Sequence, residues 1–107
     1  MVIGTTLLRN GGATCFSPVF CRGGQAAVFS VELLVLTGTS LTIVVQHKNM
    51  ADTAWMSAGT FGAIGVIGIE TLDLSGLKEQ IRFTYVVGGA NNYDAAHFNM
   101  LAPAWRP

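Results

Sequence analysis

The sequence predicts an all-β fold, a single antiparallel β-sandwich of jelly-roll type with seven to eight strands spanning 1–107. Three observations carry this. Runs of Val, Ile, Leu, Phe and Thr, each about eight residues long, recur between clusters of Gly, Asn, Asp and Ser, which is the spacing of strands and turns. Within these runs the apolar residues alternate with period two, and the 3.6-residue period of an amphipathic helix is nearly absent. A length of 107 residues fits one small domain, which buries only a modest fraction of its surface.

Residues 1–25 read as an N-terminal strand and loop. Met1-Val2-Ile3-Gly4-Thr5-Thr6-Leu7-Leu8 has no basic n-region and meets Arg9 before a long apolar run develops, so it is not read as a signal peptide. Cys15 and Cys21 flank Pro18, and with no His or further Cys nearby they cannot complete a tetrahedral zinc site. They are either two free, partly buried thiols or a local disulfide across the Ser17-Pro18 turn.

Gln25 to Thr37 is the longest strand run. Ala27, Phe29, Val31, Leu33 and Val35 share one parity and are expected inward, while Leu34 and Leu36 make its far end apolar on both faces. Thr37-Gly38-Thr39-Ser40 reads as a turn, and Leu41 to Lys48 as the returning strand of a hairpin with Leu41, Ile43 and Val45 inward. Trp55 to Phe61 is a short strand after a polar loop. Gly59, Gly62, Gly65 and Gly68 are spaced by three, but without proline the spacing does not encode a collagen helix, and 62–68 is expected to be an extended apolar loop. Ile69 to Leu74 alternates, with Ile69, or Leu72 and Leu74, available to the core. Gln80 to Val87 is the clearest amphipathic strand, with Ile81, Phe83, Tyr85 and Val87 inward. After a break at Gly88 to Asn92, Ala95 to Leu101 forms the last strand, and 102–107 is a proline-stiffened tail anchored by Trp105.

Charge is scarce: six acidic and six basic residues, with zero net charge. A folded chain of this mass exposes on the order of 5,700 Å², so charges average about one per 480 Å², thin cover for a soluble surface. Much of that surface is therefore expected to meet copies of the chain or a partner. The balance also argues against direct nucleic-acid binding, which needs clustered Lys and Arg. Thr53 to Ile69 is free of charge, but its four glycines, Ser57, Thr53 and Thr60 argue against a membrane helix.

Catalytic patterns are not found. His47 and His97 lie in different strands without a second ligand at metal spacing, and the six acids, Glu32, Asp52, Glu70, Asp73, Glu79 and Asp94, are scattered. The glycine pairs at 11–12, 23–24 and 88–89 lack the context of a phosphate loop or a nucleophile elbow. The expectation is a non-enzyme without metal or cofactor. Trp55 beside Asp52, and Tyr93 beside Asn91, Asn92 and Asp94, leave sugar recognition by a carbohydrate-binding module as an alternative, with Trp55 as a cap on the sandwich and Trp105 as an anchor being the structural account of the same aromatics.

The segments Leu41-Thr42-Ile43-Val44-Val45-Gln46-His47-Lys48-Asn49, Thr53-Ala54-Trp55, Gly59-Thr60-Phe61 and Leu74 to Gly88, the last containing Ile81-Arg82-Phe83, resemble the strand chemistry of small β-sandwich structural proteins of tailed bacteriophages. The resemblance covers roughly residues 26 to 101 and carries no catalytic signature. Those proteins often have Ser-Asn-Asp-Gly after the Gln-His strand, where this chain has Lys48-Asn49-Met50-Ala51-Asp52. The resemblance implies a virion component assembled in the host cytoplasm: a capsid decoration or cement protein, or alternatively a minor head or tail protein. Its partners would be a major capsid protein and further copies of itself in a homo-oligomer such as a trimer. Low charge and the glycine-spaced segment nominate Trp55, Phe61, Gly62, Ile64, Val66, Ile67 and Trp105 as assembly contacts.

Overall fold

A computed structural model describes residues 2–8, 14–37, 39–88 and 95–107. They form ten strands: β1 (Val2–Leu8), β2 (Thr14–Phe16), β3 (Phe20–Cys21), β4 (Ala26–Leu36), β5 (Ser40–Lys48), β6 (Met56–Ile64), β7 (Gly68–Leu74), β8 (Gln80–Gly88), β9 (Ala96–Leu101) and β10 (Ala104–Arg106). All pairings are antiparallel.

Two of these positions are broken strands. β2 and β3 lie along the same edge of β8, separated by Ser17-Pro18-Val19, and β9 and β10 lie along the same edge of β4, separated by Ala102-Pro103. Proline has no N–H to donate to a ladder, so a break there is expected. Counted this way, the sheets read β1, β9/β10, β4, β7 and β2/β3, β8, β5, β6. Eight antiparallel positions in two four-position sheets, with every connection between successive positions except β5–β6 crossing from one sheet to the other, are those of a jelly roll, and the expected all-β sandwich is what the chain forms.

The inward parity is met along most of each strand. Ala27, Phe29, Val31 and Leu33 of β4 and Leu41, Ile43 and Val45 of β5 are buried, as are Ile81, Phe83, Tyr85 and Val87 of β8 and Ala96, Phe98 and Met100 of β9. Aromatic rings bridge the two layers edge-on. Phe29 and Phe83 have centroids 5.8 Å apart at 85°, and Tyr85 and Phe98 are 5.0 Å apart at 64°, geometries that the ring quadrupole favours. Burial pushes the Tyr85 phenol up to about 12.

Three expectations are corrected. β4 and β5 do not form a hairpin, because they lie in different sheets. Thr37 N–H donates to Ala95 O in the first sheet, and two residues later Thr39 N–H donates to Gly88 O in the second. Alternation shows which face of a strand is buried, but either partner would satisfy it. Val35 points out, because a register shift between Leu33 and Val35 resets the parity of the strand end; Leu36 instead packs on the core.

The glycine-spaced segment is not an extended loop. Residues 62–64 complete β6, the connection is only Gly65-Val66-Ile67, and β7 begins at Gly68. In β6, Phe61 and Gly62 together oppose Ile43, a bulge in which Gly62 takes a left-handed conformation (φ 81°). At Gly59, β6 passes so close to β7 that an added β-carbon would stand 2.5 Å from a Leu74 methyl. In β7, Leu72 and Leu74 take the core-facing places and Ile69 faces out.

Candidate functional site

The nominated contacts do not form one patch. Ile64 is 4% exposed and belongs to its own core, which removes it from any contact surface. Phe61 is half-buried against the same core, and Gly62 sits at the bulge. Trp105 packs inside the domain: β10 pairs with Ala26–Val28 of β4, and the indole meets Phe29 at 6.0 Å and Phe20 at 6.5 Å, closing the sandwich. Val66 and Ile67 remain open, at 75% and 62% exposure.

Around these two the structure gathers residues that sequence reasoning left out. Leu33 is paired with Gly68, so Leu34 and Ile67 are the next neighbours along the β4–β7 ladder, and Ile69 lies opposite Glu32. Leu34, Val35, Val66, Ile67 and Ile69 are all exposed at this end of the sandwich. The signal was present in the sequence as the two-sided apolar end of β4, but the pairing that sets it beside 66–69 was not.

The opposite end holds a polar network. Asp52 N–H donates to Asn49 O at 3.0 Å, and Asn49 N–H donates to Asp52 Oδ2 at 2.9 Å, closing a turn after β5. Lys78 Nζ lies 3.6 Å from Asp52 Oδ2. The Asn49 N–H, aided by Lys78 and Lys48, holds the Asp52 carboxyl below the usual range, against a smaller opposing effect of burial. Met50 N–H donates to Glu79 Oε1, and Glu79 N–H to Asn49 Oδ1, tying the β5–β6 loop to the β7–β8 loop. His47, buried at the end of β5, accepts a 3.2 Å hydrogen bond from Lys78 N–H on Nδ1. Burial, then the charge of Lys78, lowers its pKa.

On the outer face of the β2/β3-β8-β5-β6 sheet, Arg82 Cζ lies 4.5 Å from the ring centroids of both Phe16 and Trp55, and Arg82 Nε donates to Gln46 Oε1 at 2.7 Å. Lys48 Nζ stands 5.4 Å from the Trp55 centroid. Trp55 is therefore a partner of two cations rather than a cap on the core. Gln46, His47, Trp55 and Arg82, four residues that carry the resemblance described above, thus all have contacts within the domain.

Cys15 and Cys21 are free thiols. Cys15 pairs with Tyr85 and Cys21 with Gln80 on the same strand, a separation of about 17 Å at strand rise, whereas a disulfide needs Cα atoms within about 7 Å. The local disulfide is ruled out. Among the described residues no three His, Cys, Asp or Glu side chains come together as metal ligands. Tyr93 lies outside the described residues. Comparison of the chain with protein-family models, curated proteins and solved structures finds no match.

Proposed function

We propose that this chain is a non-enzymatic structural subunit of a virus particle, a decoration or cement protein that stabilises a capsid shell through contacts repeated over many copies. The observation that carries the reading is the apolar end formed by Leu34, Val35, Val66, Ile67 and Ile69 on a chain with only six acidic and six basic residues. Contiguous apolar surface of this kind marks interaction sites on soluble proteins. The jelly roll serves capsid and lectin domains alike, so the surface rather than the fold selects between them.

Each buried contact would contribute about 25 cal/mol per Å² of apolar area, less the ordering cost of association. Repetition over a lattice would then make weak single contacts effective. The connection Gly65-Val66-Ile67 is short and is held at both ends by strands, so little entropy would be lost on docking.

The test combines sedimentation of the purified chain with binding to purified empty shells of tailed-phage major capsid proteins. The expected result is self-association or shell binding at micromolar concentration that Ile67→Glu and Ile69→Lys abolish without altering the melting temperature. A monomer at high micromolar concentration that ignores shells would overturn the reading, as would binding unaffected by either substitution.

A further inference from the structure

We infer that the outer face of the β2/β3-β8-β5-β6 sheet carries a second docking point, an Arg82–Lys48 site for a carboxylate side chain of a partner protein. This inference stands on local geometry and does not depend on the apolar end of the sandwich.

The Arg82 guanidinium is held in place before any ligand arrives. Phe16 approaches from the β2 side of β8 and Trp55 from the β5–β6 side, each with its ring centroid 4.5 Å from Cζ. Stacking on aromatic rings stabilises a guanidinium and keeps its plane oriented. The Nε donor is engaged by Gln46, which leaves the four N–H donors of the two Nη atoms. Among the described residues Arg82 takes part in no ion pair, the two present being Lys78–Asp52 and Arg106–Asp73.

Among the described residues the surroundings supply no counter-charge to Arg82. Its outward neighbours along β8 are Gln80 and Thr84, and the matching positions of β5 are Val44, Gln46 and Lys48. Lys48 shares the Trp55 ring and donates from Nζ to the Asp52 backbone carbonyl. The Asp52 carboxylate itself is taken up by Lys78 and the Asn49 N–H.

Two parallel Nη donors match the two coplanar oxygens of a carboxylate end-on, with Lys48 as a second point charge. Phe16, at 56% exposure, adds an apolar wall beside the fork, which suits an anion carried on a hydrocarbon stem such as a Glu or Asp side chain. Two cations on a chain of zero net charge fall short of what a polyphosphate backbone requires. With both cations already on Trp55, its ring is poorly placed to stack a sugar.

The experiment follows the Arg82 Nε–Hε resonance of the full chain, at constant ionic strength, during titration with N-acetylglutamate amide. N-acetylglutamine amide, methyl glucuronate and inorganic phosphate serve as comparators. A saturable millimolar shift is expected with the glutamate probe and none with the glutamine probe. Following the same titration on backbone amides of β8, Arg82→Gln should weaken binding at least about tenfold, the value of a charge-assisted hydrogen bond, and Lys48→Gln a few-fold. The wild-type titration decides the matter even if Arg82→Gln folds poorly. An unsaturable response, or an equal response to the glutamine probe, would remove the site. Tighter binding of glucuronate or phosphate than of the glutamate probe would overturn the assignment to a protein side chain.

Discussion

Gly24 and Arg106 touch where a side chain at residue 24 would stand: a β-carbon there would overlap the Arg106 carbonyl oxygen. The neighbouring Gly23 is constrained by a side chain rather than by backbone, since its β-carbon would lie 2.7 Å from the Trp105 ring. The glycine pair is thus the seat of β10, and it explains how a three-residue strand keeps its indole against Phe20 and Phe29.

Gly24→Ala should therefore lift β10 from β4. Overpacking against backbone costs about 1–3 kcal/mol, and Trp105→Ala, which empties the space between Phe20 and Phe29, about 3 kcal/mol. Urea denaturation measures both. A Gly24→Ala protein as stable as wild type would show that the tail is not held where β10 places it.

Acid should weaken the fold through His47. Its pKa is lowered in the folded state, so as pH falls through about 6.5 the unfolded chain takes up the proton first, and stability present above that pH is lost. The Lys78 N–H bond to Nδ1 is lost on the same protonation. Asp52, held below its usual range, stays ionised through this window and does not offset the change. Unfolding free energy measured from pH 7 to pH 5 should decline by no more than about 1.4 kcal/mol per pH unit for this one proton, and His47→Gln should flatten that part of the curve. A wild-type curve that rises toward pH 5 would contradict the assignment.

Thr84 offers a substitution in the opposite direction. Its Oγ1 is buried with no hydrogen-bond partner among the described residues, and an unmet buried hydroxyl is a liability. Thr84→Val keeps the branched shape and should leave stability unchanged or raise it by up to about 1 kcal/mol. A clear loss in thermal denaturation would mean that the hydroxyl has a partner in solution.

The two thiols should separate kinetically. Cys21 is exposed, whereas Cys15 is half-buried and packs against the core. A disulfide-exchange reagent should label Cys21 rapidly and Cys15 only as β2 leaves β8. Oxidation should give dimers through Cys21 and no internal bridge, which non-reducing electrophoresis and peptide mapping would show.

Sequence alternation was enough to find the long strands and their buried faces, because period-two patterning reports burial directly. The alternate residues from Ala27 to Leu33, from Leu41 to Val45 and from Ile81 to Val87 are assigned to the core by parity alone, and they are buried there. Arg82 is legible in the sequence only within the Ile81-Arg82-Phe83 strand and Trp55 only as a cap, sugar-binding or assembly candidate, and nothing in their spacing of 27 residues announces that one stacks on the other. The failures share a cause: the β4–β5 hairpin, the inward Val35 and the loop at 62–68 all depended on which strand lies beside which, or on where a bulge resets parity.

What this sequence determined by itself is an all-β chain with known inward faces and too few charges to cover its surface. Tertiary structure alone decided that β4 and β5 lie in different sheets, that Leu34 and Val35 lie at the same end as Val66, Ile67 and Ile69, and that Arg82 rests between Phe16 and Trp55. The physical reason is that burial of a face is a property of each strand and its own residues, whereas pairing is a choice among partners of nearly equal apolar content. That choice is made by proline breaks, bulges and close glycine contacts acting together over residues far apart in the chain.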